Sequence, residues 1–279
     1  MLKGILWAEQ ILEKKGISMG NALRMKLSVI IPCYNEENNI KECLDSVTWA
    51  DEILVVDSFS TDKTLEIARK YTDRIFQHEY INSAAQKNWT IPQASHDWVL
   101  IVDSDERVTP DLCNEITTLL AQAPLKDGYW IRRKNFLFGK EIKHSGWGAD
   151  SVLRLFRKDL GRYQEKRVHA EVELKNTEML NGYLEHLSVS SLTDWVSKIN
   201  RYSSWKARDK YEQGTTAPIL HMVLRPPVRF IKDYILRIGI LDGWRGFLIS
   251  ALSAFAELVM AAKVVQLTFE SQRKSPESR

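Results

Sequence analysis

The sequence predicts an α/β protein built on a doubly wound, mostly parallel sheet. Three observations carry that prediction. Short β-branched apolar runs alternate with helical periodicity between Leu27 and about Leu120. The connections between them are only a few residues long. Three of the apolar runs end in polar loops, Pro32-Cys-Tyr-Asn-Glu36, Asp57-Ser-Phe-Ser-Thr-Asp62 and Asp103-Ser-Asp105. Open sheets of this kind bind ligands at the carboxyl ends of their strands, so the loops mark the candidate site.

The elements follow in order. Leu27-Ser-Val-Ile-Ile31, closed by Pro32, reads as a buried parallel strand. Asn35 stands where it could cap the next helix, whose Ile40, Leu44 and Val47 form one apolar face. Residues 52–57 are the second strand, 58–64 a polar turn and 65–71 a short helix. Residues 74–77 read as a third strand, 84–94 as a helix with Pro92 near its end, and 97–103 as the fourth strand. Thr109-Pro110 opens another helix, with proline at its favoured first position. Beyond Gly128 the helical period fades into β-type runs at 129–133, 152–156 and 168–172, an antiparallel extension expected to close over the site. Residues 193–211 return to a polar helix carrying Trp195, Tyr202 and Trp205. The expected organisation is an accessory helix or over-long start at 1–24, a catalytic domain at 25–190, a membrane-associating helical region at 191–270 and a polar tail at 271–279.

Composition narrows the partners. Hydrophobic residues make up 44% and charged residues 27%, the balance of a folded globular chain. A net charge of +3 does not by itself imply nucleic acid, and none is expected as a partner. Cys33, Cys43 and Cys113 form no C-x-x-C pair and read as small buried hydrophobes in a reducing compartment. Lys3 and Glu9 interrupt the apolar stretch at the start, so no secretory signal is read there.

The chemistry concentrates at the rim. Two carboxylates on alternate positions after a buried strand, Asp103 and Asp105, can face one hard cation, Mg²⁺ or Mn²⁺, and leave its other positions to diphosphate oxygens. Asp57 is placed to accept from a base edge or a ribose. Ser60 or Thr61 could instead cap the helix that follows, with Asp62 complementing its dipole. Tyr34 offers a flat face to a base, and Lys87 a charge to a diphosphate.

These residues carry a resemblance. Pro32-Cys-Tyr-Asn-Glu36, Asp57-Ser-Phe-Ser-Thr-Asp-Lys-Thr64 and Val102-Asp-Ser-Asp-Glu106 resemble the signature of family 2 glycosyltransferases, which have the GT-A fold. The resemblance implies an inverting, metal-dependent transferase, with Pro32, Tyr34, Asn35, Glu36, Asp57, Asp62, Lys87 and Asp103 around a nucleotide sugar and Asp103 and Asp105 on the metal. Gly146-Trp147, Arg154-Leu-Phe-Arg157, Val168-His169 and Leu241-Asp-Gly243 with Gly246 resemble bacterial transferases that glucosylate the lipopolysaccharide inner-core heptose. That implies a UDP-glucose donor and a lipid-linked saccharide acceptor at the cytoplasmic face of the membrane. In such proteins a glutamate commonly follows Val-His directly, whereas this chain reads Val168-His169-Ala170-Glu171.

Inversion needs a carboxylate to take the acceptor hydroxyl's proton. Glu171 is the first candidate, Asp150 the second and Glu165 the third. Residues 201–245 carry nine Lys/Arg against four Asp/Glu, interspersed with Phe230, Tyr234, Ile235, Ile238 and Trp244, a surface suited to anionic lipid. The apolar stretch 246–265 contains Glu257 and Lys263 and so reads as an interfacial or docked helix rather than a span. Three competing functions share parts of this pattern. A polyprenyl-phosphate glycosyltransferase would often show clear C-terminal spans. A processive synthase carries Q-x-x-R-W, where Gln164-Glu-Lys-Arg167-Val168 lacks the tryptophan. A non-catalytic nucleotide-binding scaffold would lose the acidic loop that is intact here.

Overall fold

The computed structural model describes residues 24–122, 124–165, 170–189, 191–214 and 219–274. Expectations for the accessory start, for Val168 and His169, and for the last five residues lie outside the described residues.

Strand β1 (Leu27–Cys33) runs through the centre of the fold with every residue buried. It pairs in parallel with β2 (Glu52–Asp57) on one side and with β4 (Trp98–Ile101) on the other; β3 (Ile75–Gln77) extends the sheet beyond β2. The side chains of β1 alternate between faces, as a pleated strand requires. Leu27, Val29 and Ile31 join a cluster with helices α1 (Ile40–Asp45), α2 (Thr64–Ala68) and α4 (Pro110–Ala121). Ile30 packs the other way, with Leu54, Val56, Ile101 and the α3 (Ser83–Thr90) side of the sheet. Pro92 falls just past α3, in a single 3₁₀ turn, Ile91–Gln93. Thr109 caps α4 as expected, its Oγ1 accepting from Leu112 N at 3.3 Å, with Pro110 at the first helical position.

The second half of the sheet contains more than the sequence pattern shows. Strands β6 (Gly128–Leu137), β7 (Lys140–Ile142) and β8 (Ser151–Arg157) form the antiparallel part, and β8 joins it to β4. Of the expected strand at 168–172, the described residues show a bridge between Tyr163 and Val172. The sheet continues through β9 (Thr177–Val189), which runs parallel to β6 and antiparallel to β5 (Glu106–Val108). The order is β3-β2-β1-β4-β8-β6-β9-β5, with β7 on β6, the GT-A-type arrangement of a parallel half and a mixed half.

Three helices follow. α5 (Leu192–Glu212) covers the 193–211 helix expected from sequence, and Ser191 caps it by accepting from Asp194 N. α6 (Ile219–Ile231) lies inside the helical region expected at 191–270, although Pro226 and Pro227 fall within it. It ends in a widened turn, Lys232–Leu236, and the chain reverses at Ile238 with φ of 49°, a left-handed conformation disfavoured for a β-branched residue. α7 (Trp244–Lys274) is longer than the 246–265 stretch and takes in the first part of the expected tail. It packs on the sheet through Ile249 and on α5 through Met260 and Val264.

Candidate functional site

The strand register brings the three polar loops level. Cys33 lies opposite Asp57, and Ile30 opposite Ile101, so the loops after β1, β2 and β4 leave the sheet along one edge. The first two are then zipped together. Asn35 does not cap α1: it takes φ of 52°, which asparagine tolerates, and turns toward the β2 loop. Its Oδ1 accepts from Thr61 N and its own N–H donates to Ser60 Oγ, both at 2.8 Å. Glu36 N donates to Thr64 Oγ1 at 2.7 Å and Glu37 N to Asp62 Oδ2 at 3.1 Å. Asp62 also accepts from Thr64 N, so it is a clip between loops, and neither Ser60 nor Thr61 caps α2.

Asp57 sits beneath this zip with no exposed surface. Its carboxylate accepts from Ser60 N at 3.0 Å, from Ser60 Oγ and from Gln77 Nε2 at 3.2 Å. It shapes the rim rather than presenting itself to solvent. Pro32 is buried in β1 beside Val56, whereas Tyr34 projects from the rim, 53% exposed.

The two aspartates of the acidic loop face different surroundings. Asp103 Oδ1 is paired with Lys87 Nζ at 2.7 Å, and Oδ2 with Arg154 Nη2. Lys87 is therefore a buried ion-pair partner and not a solvated helix lysine. Burial alone would push the Asp103 carboxyl up, but Arg154 and Lys87 outweigh it and hold the group far below the usual carboxylate range. The chain of charges continues. Arg154 Nη2 reaches Glu106 Oε1 at 3.2 Å, Arg133 Nη1 reaches the same oxygen at 3.1 Å, and Arg133 Nη2 meets Asp150 Oδ2 at 2.6 Å. Glu106 has no exposed surface and also accepts from Asp103 N at 2.9 Å.

Asp105 lies outside that chain, with His186 Nε2 at 3.6 Å from its Oδ2. The histidine's orientation is set from behind. Asn135 Nδ2 donates to Trp147 O at 2.7 Å, which leaves Asn135 Oδ1 to accept from His186 Nδ1 at 2.6 Å. Nε2 faces the Asp105 carboxylate; burial pushes that carboxyl up, but the contact with His186 outweighs it and holds the group below the usual carboxylate range. A carboxylate oxygen and an imidazole nitrogen that face each other are both groups that can ligate a divalent cation. Among the described residues no three His, Cys, Asp or Glu side chains converge as a complete ligand set. Two protein donors with the remaining positions left to diphosphate and water is the pattern that fits Mg²⁺ or Mn²⁺. His186 is not singled out by the sequence pattern, and Asp103 has both oxygens taken by Lys87 and Arg154.

A cavity of about 360 Å³ opens beside Lys87 and Arg154. Tyr163, Glu171 and Asp150 line it, and Tyr202 and Trp205 of α5 cover it. Asp150 is committed to Arg133 through two hydrogen-bonding contacts, at 2.6 and 2.8 Å. Glu165 is exposed and is not among the lining residues. Of the three candidate bases, Glu171 is the one that lines the cavity without being held by Arg133.

The polar rim, the acidic loop and an aromatic-lined cavity thus meet at the carboxyl ends of a doubly wound sheet, where ligands of this fold class bind. The chain belongs to Glycosyl transferase family 2, whose family model matches residues 28–170. It is 29% identical over 255 residues to the lipopolysaccharide core biosynthesis glycosyltransferase LpsC of Rhizobium meliloti (strain 1021), covering 87% of this chain and 93% of that protein. It is 28% identical to the uncharacterized glycosyltransferase RT0209 of Rickettsia typhi, over 88% of this chain and 89% of the relative. Among solved structures it is similar to Staphylococcus aureus TarS in complex with UDP, at 18% identity over 91% and 93% of the two chains, with a TM-score of 0.45.

Proposed function

We propose that this glycosyltransferase moves glucose from UDP-glucose, with inversion, onto a saccharide of the lipopolysaccharide core. It acts as a peripheral protein at the cytoplasmic face of the membrane, where a lipid-linked acceptor lies. The carrying observation is the level placement of three loops, which sets exposed Tyr34, the Asp105–His186 pair and the Glu171 cavity along one edge. Similarity to the Rhizobium meliloti lipopolysaccharide core enzyme over nearly its full length supports the acceptor class.

Each residue then has a task. The Tyr34 ring gives the base a stacking face, on a rim that Asn35, Glu36, Asp57 and Asp62 hold in shape. Lys87 and Arg154 put positive charge beside the diphosphate, while Asp103 fixes where those cations sit. Asp105 and His186 would hold the divalent metal, which when bound offsets charge growing on the leaving diphosphate. Tyr202 and Trp205 cover the acceptor sugar. As the acceptor oxygen bonds to the sugar carbon and the carbon–diphosphate bond breaks, the hydroxyl proton passes to the Glu171 carboxylate.

Thermal stabilisation by UDP, GDP, CMP and ADP, each with Mn²⁺ or with EDTA, tests the reading. Binding at 100 times Kd contributes about 2.7 kcal/mol, so selective binding is visible as a melting shift. A shift with UDP and Mn²⁺ alone, lost in Asp105→Asn and in His186→Ala, is expected. Folded protein that responds to none of the four would turn the assignment to a non-catalytic scaffold.

A further inference from the structure

We propose that residues 219–247, comprising α6, the corner after it and the first turn of α7, form a foot that inserts into the headgroup layer of an anionic bilayer. The inference deepens the proposed function and rests on it for the acceptor's lipid anchor; the foot itself is argued from packing and charge.

α6 buries none of its residues. Leu220, Val223 and Val228 stand at least 60% exposed along it, and the corner adds Leu236, Leu241 and Trp244, of which Leu236 is 74% exposed. An apolar surface this large and continuous on a soluble protein marks a contact with lipid or with another macromolecule. The charges decide which. The segment holds five Lys/Arg and two Asp, and both aspartates are turned inward. Asp233 accepts from Arg229 Nε at 2.5 Å and from Arg237 Nη1 at 3.0 Å. Asp242 accepts from the backbone N–H of Lys143 and of His144. No carboxylate of the segment faces solvent, while Lys232 and Arg237 do. A two-fold pairing of this face with itself would bring cations together with no acid to meet them. An apolar foot whose own exposed charges are all cations, with Glu257 of α7 beside Arg229 at 3.9 Å, is complementary to anionic headgroups over an acyl layer.

The position lies mostly within the basic 201–245 segment rather than in the apolar 246–265 stretch. The second half of α7 is held on polar α5, where Lys263 Nζ bonds Asn200 O, Ser203 Oγ and Ser204 Oγ at 2.7 to 2.9 Å. The foot is also fastened to the site. Ser145 N donates to Arg237 O at 3.1 Å beside the Asp242 contacts, and the next turn of that loop gives Trp147 O, which orients Asn135 and through it His186. The Gly146-Trp147 and Leu241-Asp-Gly243 motifs are thus the two sides of one joint between membrane surface and catalytic edge.

The test is co-sedimentation of the full chain with vesicles of phosphatidylethanolamine and phosphatidylglycerol, against phosphatidylcholine alone. Three variants are compared: Leu236→Glu with Leu241→Glu, Arg225→Glu with Lys232→Glu, and Phe269→Glu on the exposed far end of α7 as the control. The wild type and the control should bind the anionic vesicles; the double leucine variant should lose binding by about tenfold or more, and the double charge variant should lose the preference for phosphatidylglycerol. The UDP-dependent melting shift, read on the same preparations, should persist in every variant. Its absence from the wild type would remove the transferase reading and leave the foot standing. Wild-type protein that ignores vesicles, a double leucine variant that sediments as the wild type does, or a wild-type dimer that this variant splits without vesicle binding would each overturn the foot.

Discussion

Replacing Glu106 by glutamine is expected to unfold the protein more easily than any comparable change to a surface carboxylate. Glu106 is fully buried and receives Arg154 Nη2 at 3.2 Å, Arg133 Nη1 at 3.1 Å and Asp103 N at 2.9 Å. Glutamine keeps the shape and one acceptor, yet it removes the charge that compensates two guanidinium groups. If its oxygen stays with the arginines, its amide N–H₂ meets the Asp103 N–H, donor against donor. Breaking a buried ion pair from one side costs about 3–5 kcal/mol, so about 3 kcal/mol is expected with one acceptor retained. Urea unfolding should show the lower midpoint at unchanged slope. On heating, about 2–4 °C per kcal/mol translates this into a fall of about 6–12 °C. Glu42→Gln is the matched control, because Arg107–Glu42 at 3.3 Å has a carboxylate 68% exposed; its effect should stay under about 1 kcal/mol. If the two variants fall within about 0.5 kcal/mol of each other, a buried charge chain is not what organises this site.

Other outcomes follow from the same geometry. Asp103→Asn leaves Lys87 and Arg154 partly uncompensated and should lower stability by about 3 kcal/mol, whereas Asp105→Asn should barely move the urea midpoint while it abolishes the Mn²⁺-dependent UDP shift. Trp205→Ala should raise KM for the acceptor saccharide about tenfold and leave UDP binding intact, since the ring covers the cavity and not the Tyr34 rim. Gly246→Ala would place a Cβ 1.8 Å from Gly239 O, so the joint must open, with a loss of about 2–3 kcal/mol seen in urea unfolding.

What could be read in the chain beforehand was whatever its own neighbours specify. The apolar runs of β1, β2 and β4 need only local pattern, and the acidic loop was placed correctly because a strand end fixes it. Thr109 and Pro110 announce α4 by capping chemistry alone. Strand β9 escaped because its thirteen residues mix polar and apolar side chains, and its partners β6 and β5 are far away in sequence. His186 looked like one histidine in a mixed run, since the Asn135 that aims it is 51 residues away. Asn35 has the composition of a helix cap, and only the β2 loop reveals that its side chain is spent on Thr61. The helical region expected at 191–270 gave no bounds for α6; the missing N–H groups of Pro226 and Pro227 argue against a helix there, yet the helix persists through both and the widened turn comes after them.

The division of labour between Asp103 and Asp105 explains how one short loop can serve ligands of opposite charge. On the inner side lie Lys87, Arg154 and Arg133, and Asp103 is held ionised among them. On the outer side Asp105 stands near Glu36, whose carboxyl is pushed up by burial and by Asp105, with Asn39 opposing. The charged groups therefore differ across three residues, cationic toward the cavity and carboxylate at Asp105 and Glu36. On the proposed function, the diphosphate would lie against the cationic side and the metal against the acidic one. Exchanging the two aspartates for asparagine one at a time acts on opposite sides of the same loop, so the two losses should differ in kind: one removes the partner that fixes Lys87 and Arg154, the other the proposed metal ligand. The sequence Asp-Ser-Asp looks symmetric, but the fold makes its two carboxylates unequal by what each is allowed to touch.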